Sequence, residues 1–231
     1  LQVTFVQNQA LYRKLPYDPD KDFTYLSVLG QGPTVVAVRQ TLPVKTLPEL
    51  VEHARAKPLT WGSWAPGSYG HIVCEAINRR YGLQMQHVVY KGEGPMLQDL
   101  ASGQIDVALG SVGAMRPYLA GDKLRLIGAS GRTRTAYLPD LPTLFEQGAT
   151  DEAFTITGWI GLVGPAGIPE PVQQRLTQAL REAMASKQVR ERWAAFAYEP
   201  RSSTPQEHLA QYRAEAPSWI RLVHQTGITL D

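Results

Sequence analysis

The chain is 231 residues long with 43% hydrophobic and 19% charged residues, enough apolar mass for one large domain or two lobes of ordinary size. Its 23 Lys and Arg against 21 Asp and Glu leave +2 with no basic block, which argues against nucleic acid as the main partner, because phosphate neutralisation needs clustered cations. No apolar run approaches the roughly 18 residues that span a bilayer, and one cysteine, Cys74, excludes an internal disulfide or a CxxC metal pair.

The opening Leu1-Gln2-Val3-Thr4-Phe5-Val6 reads as a strand already in progress, with no initiator Met, charged n-region or secretory h-region before it. Thr46-Leu47-Pro48-Glu49 is a capping box, and Leu47, Leu50, Val51 and Ala54 then fall on one helical face. After Lys57-Pro58, residues 60–63 predict a short strand. A Gly-rich loop follows, then a helix over 69–81 closed by Gly82. Cys74 lies on its apolar side with Tyr69, Ile72, Val73, Ala76 and Ile77, the place of a buried, inert thiol. A strand over 85–90 leads to Lys91-Gly92-Glu93-Gly94, and Pro95 marks a first helical residue, with Met96, Leu97 and Leu100 inward and Gly103 at the end. Ile105, Val107 and Leu109 alternate as a strand. A short helix over 115–120, ended by Gly121, and a strand over 124–129 complete a βαβ rhythm, hence a mainly parallel sheet with helices on both faces.

The stretch 132–143, with Pro139 and Pro142, predicts an extended connection. Strand-like residues run over 154–163, and Gly161, Gly164, Pro165 and Gly167 break the chain before a long helix opens at Pro169-Glu170. The predicted inward face of that helix is Val172, Leu176, Ala179, Leu180 and Ala183. Thr204-Pro205-Gln206-Glu207 is a second capping box with Pro at the first helical position. The last helix carries Leu209, Tyr212, Trp219, Ile220 and Val223, with Pro217 inside it and Gly227 at its end. If the chain forms two lobes, it crosses between them more than once.

Enzyme signatures are missing: there is no GxGxxG, Walker loop, HExxH or strict GxSxG, and the five histidines show no metal spacing. Three Gly-rich loops stand between a strand and a helix, at residues 63–68, 91–94 and 110–113. Their N–H groups and the positive helix ends suit a carboxylate, and in an open α/β sheet ligands sit beyond the carboxyl ends of the strands. The plain alternative for each loop is an ordinary βα connection. His71 in the first turn of the following helix either donates to a bound anion or pins the loop. Trp61, Trp64 and Trp159 either wall a pocket or pack in a core, Trp64 being the hardest to place in a core. Lys91 is a cation for an acid ligand or a plain surface residue.

Several stretches together resemble one family. Residues 11–23, from Leu11-Tyr12-Arg13-Lys14-Leu15-Pro16-Tyr17-Asp18-Pro19 to Asp22-Phe23, resemble the LYKKLPYDPxKDF stretch of tripartite tricarboxylate transporter substrate-binding proteins, the TctC-like or Bug receptors. Val89-Tyr90-Lys91-Gly92 resembles VPYKGG, Gly103-Gln104-Ile105-Asp106 resembles GGQVD, Leu138 to Thr143 resembles LPDVPT, and Trp159 to Pro169 resembles WxGLxAPAGTP. The match runs in order over essentially the whole chain. Glu93, where a small residue is usual, and Gly110, where Asp is frequent, depart from it, as do Pro66 and Tyr69.

The resemblance implies an α/β, two-lobed, type II periplasmic binding fold. Residues 33–157 form one lobe, and 1–32 with 158–231 form a lobe incomplete at its N-terminus. It implies a periplasmic, non-enzymatic solute-binding protein that captures a small mono- or dicarboxylate for the membrane permease subunits of a tripartite tricarboxylate-type system, with no catalytic residue, metal or cofactor. The implied ligand contacts are Thr4, Phe5, Ser63, Trp64, Gly67, Ser68, His71, Lys91, Gly92, Glu93, Gly94, Ser111 and Trp159. The family carries about seventy further upstream residues, the scale of a half-lobe, with the export signal and a PYPPGG-type loop. On that expectation the chain binds weakly and leaves some of Val172, Leu176, Leu209 and Trp219 uncovered, which favours self-association through the incomplete lobe. Three rivals follow: an extracytoplasmic sensor for a signalling receptor, a truncated non-binding remnant, and a small hydrolase using Ser68 or Ser111 if a His lies within hydrogen-bond reach.

Overall fold

The computed structural model describes residues 4–230. In chain order the elements are α1 (Thr4–Leu11), β1 (Phe23–Gly32), β2 (Val35–Arg39), α2 (Leu47–Ala56), β3 (Thr60–Ser63), α3 (Tyr69–Tyr81), β4 (Gln86–Val89), α4 (Glu93–Ser102), β5 (Val107–Gly110), α5 (Val112–Ala120) and β6 (Leu124–Ala129). There follow α6 (Glu152–Thr155), β7 (Gly158–Pro165), α7 (Glu170–Ala185), α8 (Lys187–Ala195), β8 (Glu199–Pro200) and α9 (Pro205–His224). They divide into two compact units. One runs from Pro33 to Thr157; the other joins the chain up to Gly32 with everything from Gly158 onward.

In the Pro33–Thr157 unit the strands are ordered β4-β3-β5-β2-β6. β3 pairs parallel with β4 and β5, whereas β2 is antiparallel to β5 and β6, so the sheet is mixed and not mainly parallel. The run Val35-Val36-Ala37-Val38 explains the placement. It is apolar throughout and fully buried, as a central strand covered on both faces must be. Leu47, Leu50, Val51 and Ala54 form the buried face of α2, as their spacing predicts. The capping box there is only half closed: Thr46 Oγ1 accepts from Glu49 N at 3.3 Å, but Glu49 Oε2 accepts from Lys45 N at 2.7 Å. α3 runs over 69–81 and ends at Gly82, as read from the sequence. α4 starts two residues before the expected Pro95. The corner is Gly92 at φ +107°, a conformation that L side chains rarely adopt, and the helix therefore opens on Glu93.

In the other unit β1 pairs antiparallel with β7, from Phe23↔Pro165 to Gly32↔Gly158, and with β8 at Gly30↔Pro200. The expected strand over 154–163 is corrected: Phe154 and Thr155 belong to α6, and the strand starts at Gly158. It then continues through Gly161 and Gly164, where a break was expected. Gly161 permits close packing, because a Cβ there would lie 2.5 Å from His208 Nε2 and 3.3 Å from Ser27 O; at Gly164 a Cβ would meet only the flexible end of Ile168. The strand expected at the chain's start is also overturned. Thr4–Leu11 is helical, with Phe5, Val6, Ala10 and Leu11 at helical spacing turned inward and the helix packed on α9; Leu1, Gln2 and Val3 lie outside the described residues.

The long helix expected at Pro169-Glu170 is present as α7 and spans every residue of its predicted face. Ser186 follows it and caps α8, its Oγ accepting from Val189 N at 3.4 Å. The inward face of α7 is not the apolar stripe read from the sequence. Met184 is buried, with Gln173, Thr177 and Leu180 half-buried, while Val172, Leu176, Ala179 and Ala183 are exposed. In α9 the capping box is complete: Thr204 Oγ1 accepts from Glu207 N at 3.2 Å and Glu207 Oε2 from Thr204 N at 2.8 Å. Trp219, one of the residues expected to be uncovered, is fully buried, and Leu209 is half-buried.

Candidate functional site

Three of the predicted loops converge beyond the carboxyl ends of β3, β4 and β5. Parallel pairing of β3 with both neighbours points the three strands the same way and brings their βα connections side by side. Gly92 N donates to Trp64 O at 3.2 Å, joining the second loop to the first. A Cβ on Gly70 would lie 3.0 Å from Ser63 Cβ and 3.6 Å from Leu109 O, so the head of α3 sits against the end of β5.

The first loop is pinned from both sides. Ser63 Oγ donates its one hydrogen to Ala65 O at 3.0 Å, so at 2.7 Å it must accept from His87 Nε2–H. On the other side Gly67 N donates to His71 Nδ1 at 3.1 Å. An imidazole that accepts at Nδ1 carries its hydrogen on Nε2. The His71 and His87 rings stack 3.6 Å apart at 20°. Burial pushes both pKa values down to about 4, with the facing His71 adding to the effect on His87. Of the two roles open to His71, the geometry provides the pin. His87 was not singled out in the sequence. Its partnership with Ser63 depends on the register Trp61↔His87 and Ser63↔Val89, which puts residues 63 and 87 on one face of adjacent strands.

Ser68 stands at the N-cap of α3. It is 1% exposed, and its hydroxyl neither caps the helix nor finds any other hydrogen-bond partner. The first-turn N–H groups of a helix have no acceptor within the helix. A buried hydroxyl and the positive end of a 13-residue helix therefore point into one place. Tyr69 Oη, next in sequence, lies 2.8 Å from Ala153 O and holds the head of α3 to α6.

Of the remaining expected contacts, Trp64, Gly92 and Glu93 are half-buried around this point, Gly67 is buried, and Lys91 and Gly94 are exposed. The Glu93 carboxylate accepts from Ser111 N and from Ser111 Oγ, both at 2.7 Å. Thr4, Phe5 and Trp159 belong to the other unit. There Phe5 is buried in an aromatic cluster with Tyr17 and Phe23, and Trp159 is buried with Nε1 donating to Glu215 Oε2 at 2.9 Å. Both rings are core.

Neither hydrolase serine has the histidine that reading requires, since Ser111 Oγ bonds a carboxylate and Ser68 Oγ bonds nothing. The Ser63 proton is held by the Ala65 carbonyl. Among the described residues no three His, Cys, Asp or Glu side chains cluster as a metal site. Cys74 is buried and its thiol pKa is pushed up by burial. No described helix is long and apolar enough to cross a membrane.

Comparison with known proteins places this geometry in context. A family model described as tripartite tricarboxylate transporter family receptor matches residues 2–228. A UPF0065 protein of Cupriavidus necator is 34% identical over 206 residues, covering 87% of this chain and 61% of the relative, so the chain spans less than two thirds of that relative's length. An R. palustris protein solved with adipate superposes with a TM-score of 0.91 at 27% identity, covering all of this chain and 78% of that one. MatC from Rhodopseudomonas palustris, solved with bound malate, gives 0.82 at 29% identity, covering 96% and 77%.

Proposed function

Since the chain belongs to the tripartite tricarboxylate transporter receptor family and has the α/β type II periplasmic binding fold, we propose that it captures a small organic carboxylate at the Ser63–Ser68 and Lys91–Gly94 loops. From the periplasm it would deliver this ligand to the membrane-embedded permease subunits of a tripartite tricarboxylate-type system, a reading supported by the family alone. The observation that carries the reading is Ser68: a hydroxyl 1% exposed, without a partner, at the head of α3. Burying a hydroxyl unpaired costs about 1–3 kcal/mol, and a carboxylate oxygen there would accept from it and from the adjacent helix N–H groups. The loops around it are held by Ser63, His71 and His87, so little ordering is needed on binding. Solved relatives with adipate and malate support a carboxylate as the ligand class. The exposed stripe Val172 and Leu176 on α7 supports self-association as a further property.

Ser68→Ala tests the site with opposite signs in two measurements. Without ligand, removing an unsatisfied buried hydroxyl leaves Tm unchanged or raises it. With ligand, losing a charge-assisted hydrogen bond weakens binding roughly tenfold or more in calorimetry. A variant that melts several degrees lower and binds its acid as tightly as the parent would refute the assignment.

A further inference from the structure

Glu93 stands in the second loop, yet its carboxylate is engaged by the third. Oε1 accepts from Ser111 N and Oε2 from Ser111 Oγ, both at 2.7 Å. Ser111 is the N-cap of α5, and its Oγ also accepts from Ala114 N at 3.4 Å. Two donors of the third loop, the Ser111 N–H and hydroxyl at the positive end of α5, are thus occupied by an acid from the chain itself. Gly110 belongs to the same fit. A Cβ there would lie 3.1 Å from both Glu93 Oε1 and Met115 Cε, so the missing side chain at 110 gives the glutamate room to sit on Ser111 without a shift.

The consequence concerns what the receptor accepts. The loop carrying Glu93 is bonded to the loop leading to Ser68 through Gly92 N and Trp64 O, so the fixed charge borders the carboxylate position. We infer that Glu93 is a specificity-determining residue. It fills a second anion position and restricts the ligand to one carboxylate, with a neutral or cationic group at the end facing Glu93. This rests on the Ser68 site proposed above. Two like unit charges about 6–10 Å apart, at an effective dielectric of about 20, weaken binding by roughly ten- to a hundredfold. An ammonium in the same place gains instead.

The test uses three acids of one length: hexanoate, adipate and 6-aminohexanoate. Each is titrated by calorimetry into the full chain and into its Glu93→Gln variant. The parent is expected to bind adipate at least tenfold more weakly than 6-aminohexanoate. In Glu93→Gln that ratio should fall to within about threefold, mainly through gained adipate affinity. Ratios are taken within one protein, so a change in stability common to all three ligands cancels. The parent titrations stand alone if the variant does not fold. Adipate bound by the parent as tightly as the other two, or a ratio unmoved by Glu93→Gln, overturns the inference and leaves the receptor reading intact. Binding of none of the three acids by either protein overturns the inference together with the Ser68 site.

Discussion

His71, His87 and His208 are buried or half-buried imidazoles whose pKa values burial pushes down to about 4. The first two hold the Ser63–Gly67 loop in place as neutral rings, one accepting at Nδ1 and one donating at Nε2. His208, fully buried, makes no hydrogen bond with either ring nitrogen and packs edge-on to Tyr25 at 5.0 Å and Trp159 at 5.5 Å. An unfolded histidine titrates near 6.5. Between that value and about 4 the unfolded chain therefore binds more protons than the folded one, and stability falls as pH falls. The contribution is complete above the unfolded pKa. By pH 5 the loss is about 1–2 kcal/mol per imidazole. Tm should hold between pH 8 and 7 and drop by several degrees between pH 7 and 5; a flat profile across that second interval would show that the rings are charged in the fold. Protonated His71 can no longer accept from Gly67 N, but the folded ring protonates only near pH 4, so the loop should stay pinned down to about pH 5 and loosen, with loss of carboxylate affinity, only as pH falls toward 4.

At the level of elements, β7 and α9 fit through a missing side chain. Gly161 lies where a Cβ would touch the His208 ring at 2.5 Å, and the ring is held between Tyr25 and Trp159. Gly161→Ala should cost about 1–3 kcal/mol by overpacking. Val172→Ala on the exposed face of α7 should stay within about 0.5 kcal/mol, as surface substitutions do. Urea midpoints of the two variants rank them; equal midpoints would mean the ring moves aside at no cost. The same contacts mark what the sequence could reveal. Local chemistry was legible: Gly82 after α3, Thr204 before α9 with Glu207 in its first turn, the face Leu47-Leu50-Val51-Ala54. Features set by distant residues were not. Gly161 read as a break because nothing local announces His208. The α7 stripe read as inward because apolar spacing does not say which side has a partner. In the candidate site the Gly and Ser loops were visible, while the Ser63–His87 and Glu93–Ser111 bonds depend on strand order.

For the whole molecule, the unit from Pro33 to Thr157 is one unbroken stretch with its own sheet and core, Trp61, Leu50, Ile77 and Leu97 among its fully buried side chains. Excised, it should fold alone and unfold in urea as a single cooperative transition. A broad, non-cooperative melt would show that it depends on the rest of the chain. The other unit has no such independence, since its main ladder joins β1 to β7 across everything in between.

That ladder meets at Gly32↔Gly158, immediately outside the two ends of the intervening stretch. Within that stretch Ser130 N donates to Thr34 O at 2.9 Å and Gly131 N to Phe154 O at 2.9 Å, so residues near both of its ends are tied to one short segment. β1 and β7 are then the arms of a hairpin whose turn is a folded body. Closing a long flexible loop carries an entropy cost that grows with its length and slows non-local pairing. Once the intervening body has formed, most of that search is already over. Maturation of the ladder is accordingly expected to be a late event that waits on the interior of the chain, so that substitutions touching neither strand should change the rate at which β1 finds β7.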